Sequence, residues 1–204
     1  MKIGFVGLGN VGGKLANNLL ENNFQLSVLD KNHILMDEFK LKGAKTAKSI
    51  KDLVMNSDIL ITCLPSPKIC AEVLESKDGI IDTIQKDQIW IEMSTTEDEQ
   101  LKKHASLIQQ KNAIALEAPV SGGCHRAATG NISIFVGGSR EGFDKAMPVL
   151  KCLGRKILYT GDFGSASILK VITNYLATVH LVALGEAWTI ASKSNLDLNK
   201  TFKG

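Results

Sequence analysis

No Cys-x-x-Cys pair occurs among the four cysteines (Cys63, Cys70, Cys124, Cys152), and none stands at metal-ligand spacing with the four histidines. Reduced, mostly buried thiols and no metal site are therefore expected. Basic residues form no block: 24 Lys and Arg against 21 Asp and Glu leave +3, spread along the chain, so nucleic acid is not an expected partner. Internal repeats and low-complexity tracts are missing as well. Met1 runs into an apolar stretch with a single Lys2, which leaves no room for a signal or transit peptide, and a cytoplasmic protein is expected. The longest apolar stretch is broken by Thr178, His180 and Glu186, short of the roughly 20 residues of a membrane span, so no membrane partner is expected. What remains is a 204-residue chain, 44% apolar and 22% charged, the balance of a soluble globular domain with an additional piece.

Residues 2–7 (KIGFVG) form an apolar run that continues as Gly7-Leu8-Gly9-Asn10-Val11-Gly12, followed by a helical pattern through Leu15, Leu19 and Leu20. Gly-x-Gly-x-x-Gly is a weak signal alone, but between a strand and a helix it has the setting that its chemistry needs. The first glycine permits a tight turn, the second lets a pyrophosphate approach the backbone, and the third lets helix pack on strand. Helix N-terminal N–H groups then face the phosphates. The next strand, Gln25 to Leu29, ends at Asp30, 18 positions after Gly12 (30 − 12). An acidic residue near that distance takes the ribose 2′-hydroxyl and repels a 2′-phosphate, which favours NAD over NADP. The competing reading makes Asp30 the cap of a helix that begins near Asn32.

The α/β alternation then predicts helices over 32–42, 48–55, 68–75 and 96–110, and strands over 44–46, 58–63, 88–92 and 113–116. Ser94-Thr95 follow a strand end, as suits a ligand crevice at the carboxyl edge of a parallel sheet. Ser94 with Glu97 also reads as a helix cap and its capping box. Glu117-Ala118-Pro119-Val120-Ser121-Gly122-Gly123 breaks the rhythm. Its Ser-Gly-Gly offers N–H groups and a hydroxyl, either an anion nest suited to a carboxylate or a plain tight turn. A helix to about 129, a strand 132–136, a helix 140–151 and a strand 156–159 complete a doubly wound α/β sheet of Rossmann type over 1–162.

From Gly164 to about Ser194 there is no proline, and one helix of roughly 45 Å is predicted. Ile168, Leu169, Ile172, Leu176, Val179, Ala183 and Ala187 recur at helical spacing, and beyond Tyr175 the apolar residues spread all the way round. Such a helix should be buried on every side. Lys170 and Asn174, spaced i and i+4, share one face; beside so much apolar surface the lysine also reads as a snorkelling stem. Residues 163–204 are thus expected to form a long interdomain helix that begins an all-α domain.

Four blocks in order, GFVGLGNVGGKLANNLL, CLPSP, APVSGG and GSASILKVITN, resemble the β-hydroxyacid dehydrogenase family, of the 3-hydroxyisobutyrate dehydrogenase and tartronate semialdehyde reductase type. The resemblance covers essentially the whole chain. It implies hydride transfer between NAD and a short β-hydroxyacid or its semialdehyde. Gly7, Leu8, Gly9, Asn10, Val11, Gly12 and Asp30 would hold the dinucleotide, with Cys63, Leu64, Pro65, Ser94 and Thr95 lining its path towards the nicotinamide. Ser121, Gly122 and Gly123 would hold the carboxylate of a small substrate, Lys170 matches the catalytic general acid/base, and Asn174 matches an asparagine that positions substrate. Two departures are mild: Gly164-Ser165-Ala166 stands where the family usually has Gly-x-Gly, and Thr173-Asn174 where it often has two asparagines. The larger departure is length, since family members continue into further helices that pack around the long one and supply a second lysine near the nicotinamide. A shortened chain with an uncovered apolar helix is expected to form a homodimer or higher homo-oligomer through it. The alternatives are a catalytically inactive cofactor-binding fragment acting through helix-mediated association, and a semialdehyde or glyoxylate reductase of the same family.

Overall fold

The computed structural model describes residues 1–201; the last three positions of the expected 163–204 segment lie outside the described residues. Contacts divide the chain into one unit, Met1–Lys170, and a second from Val171 onward. In chain order the first half of the sheet domain holds β1 (Lys2–Val6), α1 (Gly12–Glu21), β2 (Gln25–Leu29), α2 (His33–Leu41), β3 (Lys45–Thr46), α3 (Ile50–Met55) and β4 (Ile59–Thr62). Then come α4 (Pro67–Glu75), α5 (Ile80–Thr83), β5 (Ile89–Glu92), α6 (Asp98–Gln109), β6 (Ile114–Glu117), β7 (Val120–Ser121), α7 (Gly123–Ala128), β8 (Ile132–Gly138), α8 (Arg140–Leu153) and β9 (Gly154–Gly161). The chain continues with α9 (Ser165–Lys193) and the short α10 (Leu198–Thr201).

The sheet runs β3-β2-β1-β4-β5-β6-β8, with β7 and β9 both paired to β8. Its first six strands are parallel, and β8 enters antiparallel to β6. This is the doubly wound Rossmann-type architecture, with a topological switch point between β1 and β4. Helices cover both faces, so β4 and β5 are buried residue after residue and show no polar alternation. The pleat still sorts their side chains: Ile59, Ile61, Ile89 and Ile91 join Phe5 and Leu15 in one core layer, while Leu60 and Trp90 join Leu53 and Ile108 in the other.

Several local expectations are corrected. The four-residue α5 and the two-residue β7 were not legible as regular elements; β7 owes its strand character to antiparallel pairing with β8 at Val120↔Ile134. Ser94 does not cap α6, whose N-cap is Glu97 without a side-chain bond. The helix starts too late for Ser94 to reach its first amides.

Within this chain α9 is the uncovered apolar helix that was expected. Leu181 is 71% and Ile190 67% exposed, and Tyr175, Val182 and Leu184 are exposed with them. Among the described residues of the second unit only α10 and its connecting turn accompany the helix, which is too little chain to form a covering layer. By length and composition α9 is also long and apolar enough to cross a membrane, with a mean hydropathy of 1.5 over an 18-residue window. Thr178, His180 and Glu186 therefore do not interrupt it as strongly as expected.

Candidate active site

A cavity of about 840 Å³ opens at the carboxyl ends of β1, β2, β4 and β5 in the first unit. Its floor is the glycine-rich turn. Gly7 has φ +96°, and a Cβ there would meet the Cys63 carbonyl at 2.3 Å. A Cβ on Gly12 would lie 2.0 Å from the Gly7 carbonyl oxygen, so α1 can pack this closely only on glycine. At Gly9 an added Cβ would meet nothing within 4 Å, so this glycine faces open space. The N-cap of α1, Val11, makes no side-chain capping bond. An uncapped helix N-terminus beside an open glycine suits a pyrophosphate, and these residues fit a dinucleotide.

Asp30 lines the cavity at the end of β2. Its Oδ2 accepts from the Leu8 N–H at 2.6 Å and its Oδ1 from the Asn32 N–H at 2.8 Å. It is not the cap of α2; that role falls to Asn32, which accepts from the Ile34 N–H. Leu8 itself points into the core at 2% exposure and contributes only its backbone amide. It is the one member of the glycine-rich set that does not line the cavity.

Cys63, Leu64, Pro65, Ser94 and Thr95 form the next stretch of wall. Behind them runs a relay of buried bonds. Trp90 Nε1 donates to Thr62 Oγ1 at 2.9 Å, which donates to Glu92 Oε2 at 2.9 Å. The Ser94 N–H donates to Glu92 Oε1 at 2.8 Å, and Ser94 Oγ accepts from the Leu64 N–H at 2.7 Å. Ser94 thus braces the β4 loop, a role its sequence neighbourhood did not suggest. Burial pushes the Glu92 carboxyl up to about 6, outweighing the bonds to Ser94 and Thr62 that lower it. Burial, and then the Glu92 charge, pushes the Cys63 and Cys70 thiols up to about 12. Cys63 is a neutral part of the wall, without thiolate reactivity at neutral pH.

Val120, Gly123 and Lys170 line the cavity as well. Gly122 and Gly123 both have positive φ, +132° and +79°, which turns the chain from β7 into α7. Gly123 borders the cavity, whereas Ser121 and Gly122 do not. Lys170, half-buried, reaches the cavity from the second turn of α9, and burial holds its amine below the usual lysine range. Asn174 lies four residues further along α9, in the second unit. Sequence reasoning missed Ser49, Ile50, Ile69 and Val73, which also line the cavity. For Ser49 the available signal was a serine between a strand and a helix; it caps α3 by accepting from the Asp52 N–H.

Residues 2–161 match the family described as the NAD binding domain of 6-phosphogluconate dehydrogenase. The chain is 34% identical over 195 residues to mitochondrial 3-hydroxyisobutyrate dehydrogenase of Rattus norvegicus, a match over 96% of this chain and 58% of the rat protein. It is 31% identical over 196 residues to the NAD-dependent L-serine dehydrogenase of Pseudomonas aeruginosa, covering 96% of this chain and 66% of that one. The solved structure of Mycobacterium tuberculosis 3-hydroxyisobutyrate dehydrogenase with L-serine superposes with a TM-score of 0.93 at 27% identity, over 99% of this chain and 68% of its own. The chain therefore spans 58–66% of the length of these curated relatives. With the glycine-rich turn, the strand order and the carboxyl-edge cavity all in agreement with that match, this chain belongs to the NAD-binding family of 6-phosphogluconate dehydrogenase, and 3-hydroxyisobutyrate dehydrogenases are its homologues.

Proposed function

We propose that this chain carries the cofactor-binding and proton-transferring parts of an oxidoreductase for short β-hydroxyacids or their semialdehydes, with NAD preferred over NADP. One observation carries the reading: Lys170 and the glycine-rich turn line the same cavity. The nicotinamide cofactor, when bound, supplies the acceptor or donor of the hydride. Lys170 takes the proton of the substrate hydroxyl during oxidation and returns it to the carbonyl oxygen during reduction. Its lowered proton affinity suits both directions, because the neutral amine is needed as base and the ammonium as acid. Gly123 at the cavity edge, with Ser121 and Gly122 beside it, would receive the substrate carboxylate, and Asn174 would orient it. The acceptor bonds of Asp30 to the glycine-rich turn keep a carboxylate at the ribose end, where a 2′-phosphate would be repelled.

A second reading is favoured by the exposed apolar surface of α9. In it the chain binds cofactor without turnover and associates with a second copy through that helix. Fluorescence titration with NADH and with NADPH, followed by turnover assays on 3-hydroxyisobutyrate, L-serine and tartronate semialdehyde, separates the two. NADH binding with turnover that Lys170→Met abolishes supports the enzyme. NADH binding without turnover, together with a dimer by light scattering, supports the fragment, and binding of neither cofactor overturns both.

A further inference from the structure

The end of β6 carries a second buried carboxylate that the cavity wall does not use. Glu117 is fully buried, opposite Glu92 on β5 and Gly137 on β8. Its Oε1 accepts from the N–H groups of Gly164 at 2.7 Å and Ala166 at 2.8 Å. Its Oε2 accepts from the Ser167 N–H at 3.2 Å and from the Ser167 hydroxyl at 2.5 Å. A helix opens with amides that have no partner inside it, and a nearby Ser, Thr, Asn or Asp ordinarily receives them. Here the residue before α9 is Gly164, and a carboxylate 47–50 positions away does the work.

The pocket for this carboxylate is built for it. A Cβ on Gly137 would lie 2.3 Å from Glu117 Oε1, so only glycine leaves the acceptor where it is. A second tie runs alongside: Ser165 Oγ meets Thr160 Oγ1 at 2.7 Å, and Thr160 donates to the Val136 carbonyl at 3.0 Å. Lys170 sits five residues after the first residue of α9, about one and a half turns along a rigid rod. Any pivot of the first turn therefore displaces the amine. Three residues after Glu117 the chain enters β7 at Val120, which lines the cavity.

We propose that Glu117 is a positioning residue for Lys170: by gripping the first turn of α9 it sets where the amine enters the cavity. The kinetic consequence rests on the proposed dehydrogenase reading; the placement of Lys170 does not. In Glu117→Gln one pair of donors faces an amide NH2 and the cap is lost.

The test uses the whole 204-residue chain, wild type against Glu117→Gln and Ser167→Ala. Hydrogen exchange reads the Ala166 and Ser167 amides. The isotope-labelled methyl resonance of reductively methylated Lys170, assigned by its loss in Lys170→Met, reads the amine. We expect Glu117→Gln to speed exchange at these amides about tenfold. The Lys170 resonance should move towards those of the exposed lysines, with NADH affinity unchanged. Ser167→Ala keeps the backbone donors and should act in the same direction, by about threefold in exchange. Where the wild type turns over, kcat should fall about ten- to hundredfold with KM unaltered. A Glu117→Gln protein that loses only thermal stability, with the Lys170 resonance in place, overturns the proposal. Should that variant fail to fold, an unmoved Lys170 resonance in Ser167→Ala overturns it equally. Absence of NADH binding or turnover in the wild type refutes the dehydrogenase reading and leaves the exchange and resonance results decisive for Glu117.

Discussion

Glu92 and Glu117 are partners in register on neighbouring strands β5 and β6, both at the carboxyl end of the strand and both buried. Their surroundings differ in what they hold. Glu92 accepts from Thr62 at the end of β4 and from the Ser94 N–H in the turn after its own strand, and so braces the Leu64–Ser94 wall. Glu117 takes four donors from the single opening turn of α9, the helix of Lys170. One strand edge thus supports the two halves of the cavity through the same residue type. The contrast shows that a buried carboxylate is defined by where its donors lie: those of Glu92 tie two loops of the wall, and those of Glu117 the opening turn of α9.

The comparison can be broken from either side. The largest effect is expected at the end of the Glu117 branch: on the proposed dehydrogenase reading, Lys170→Met should lower kcat about 10²–10⁴-fold while the NADH dissociation constant stays put, as steady-state kinetics and titration would register. Gly137→Ala attacks the same branch without touching charge. Its methyl group displaces Glu117 Oε1 and should cost about 1–3 kcal/mol in urea unfolding, with faster exchange at Ala166 and Ser167. On the other branch the signature is a pH dependence. Because the Glu92 carboxyl titrates near 6 when folded, against 4.5 as its ordinary value, the folded chain holds a proton that the unfolded chain has lost between those values. Its contribution to stability is complete below 4.5 and is lost as pH rises through about 6, a swing of about 2 kcal/mol. The stability difference between wild type and Glu92→Gln should therefore shift by that amount in favour of the variant across the window. A pH-independent difference would mean that Glu92 titrates normally. Smallest is Ser94→Ala, which strips the Leu64 N–H of its acceptor. About 1 kcal/mol and a modest loss of NADH affinity, with Lys170 undisturbed, are expected from parallel unfolding and binding curves.

Much of this was legible in one dimension. The Gly7–Gly12 motif, Asp30 after the second strand and the α/β rhythm depend on local chain chemistry, and they led to the right sheet and to the floor of the cavity. The readings that failed were those in which a residue serves something far along the chain. Ser94 looks like a helix cap because Glu97 follows three positions on, yet its oxygen is taken by Leu64, 30 positions earlier. Nothing near Glu117 in the chain marks it as a helix anchor, since its donors lie 47–50 positions later. The apolar girth of α9 and its lack of cover were legible by contrast, and the described residues of the second unit offer only α10 beside it.

By itself, then, the sequence determined most of the element types and the glycine-dependent approach of α1 to β1. Each follows from backbone sterics and hydrophobic periodicity within a few residues. Only the tertiary structure decided which carboxylate holds which loop, that Gly123 and not Ser121 borders the cavity, and that a side chain of β6 accepts from the opening amides of α9. Strand register and helix docking bring those groups together, and neither is written in the spacing of residues along the chain.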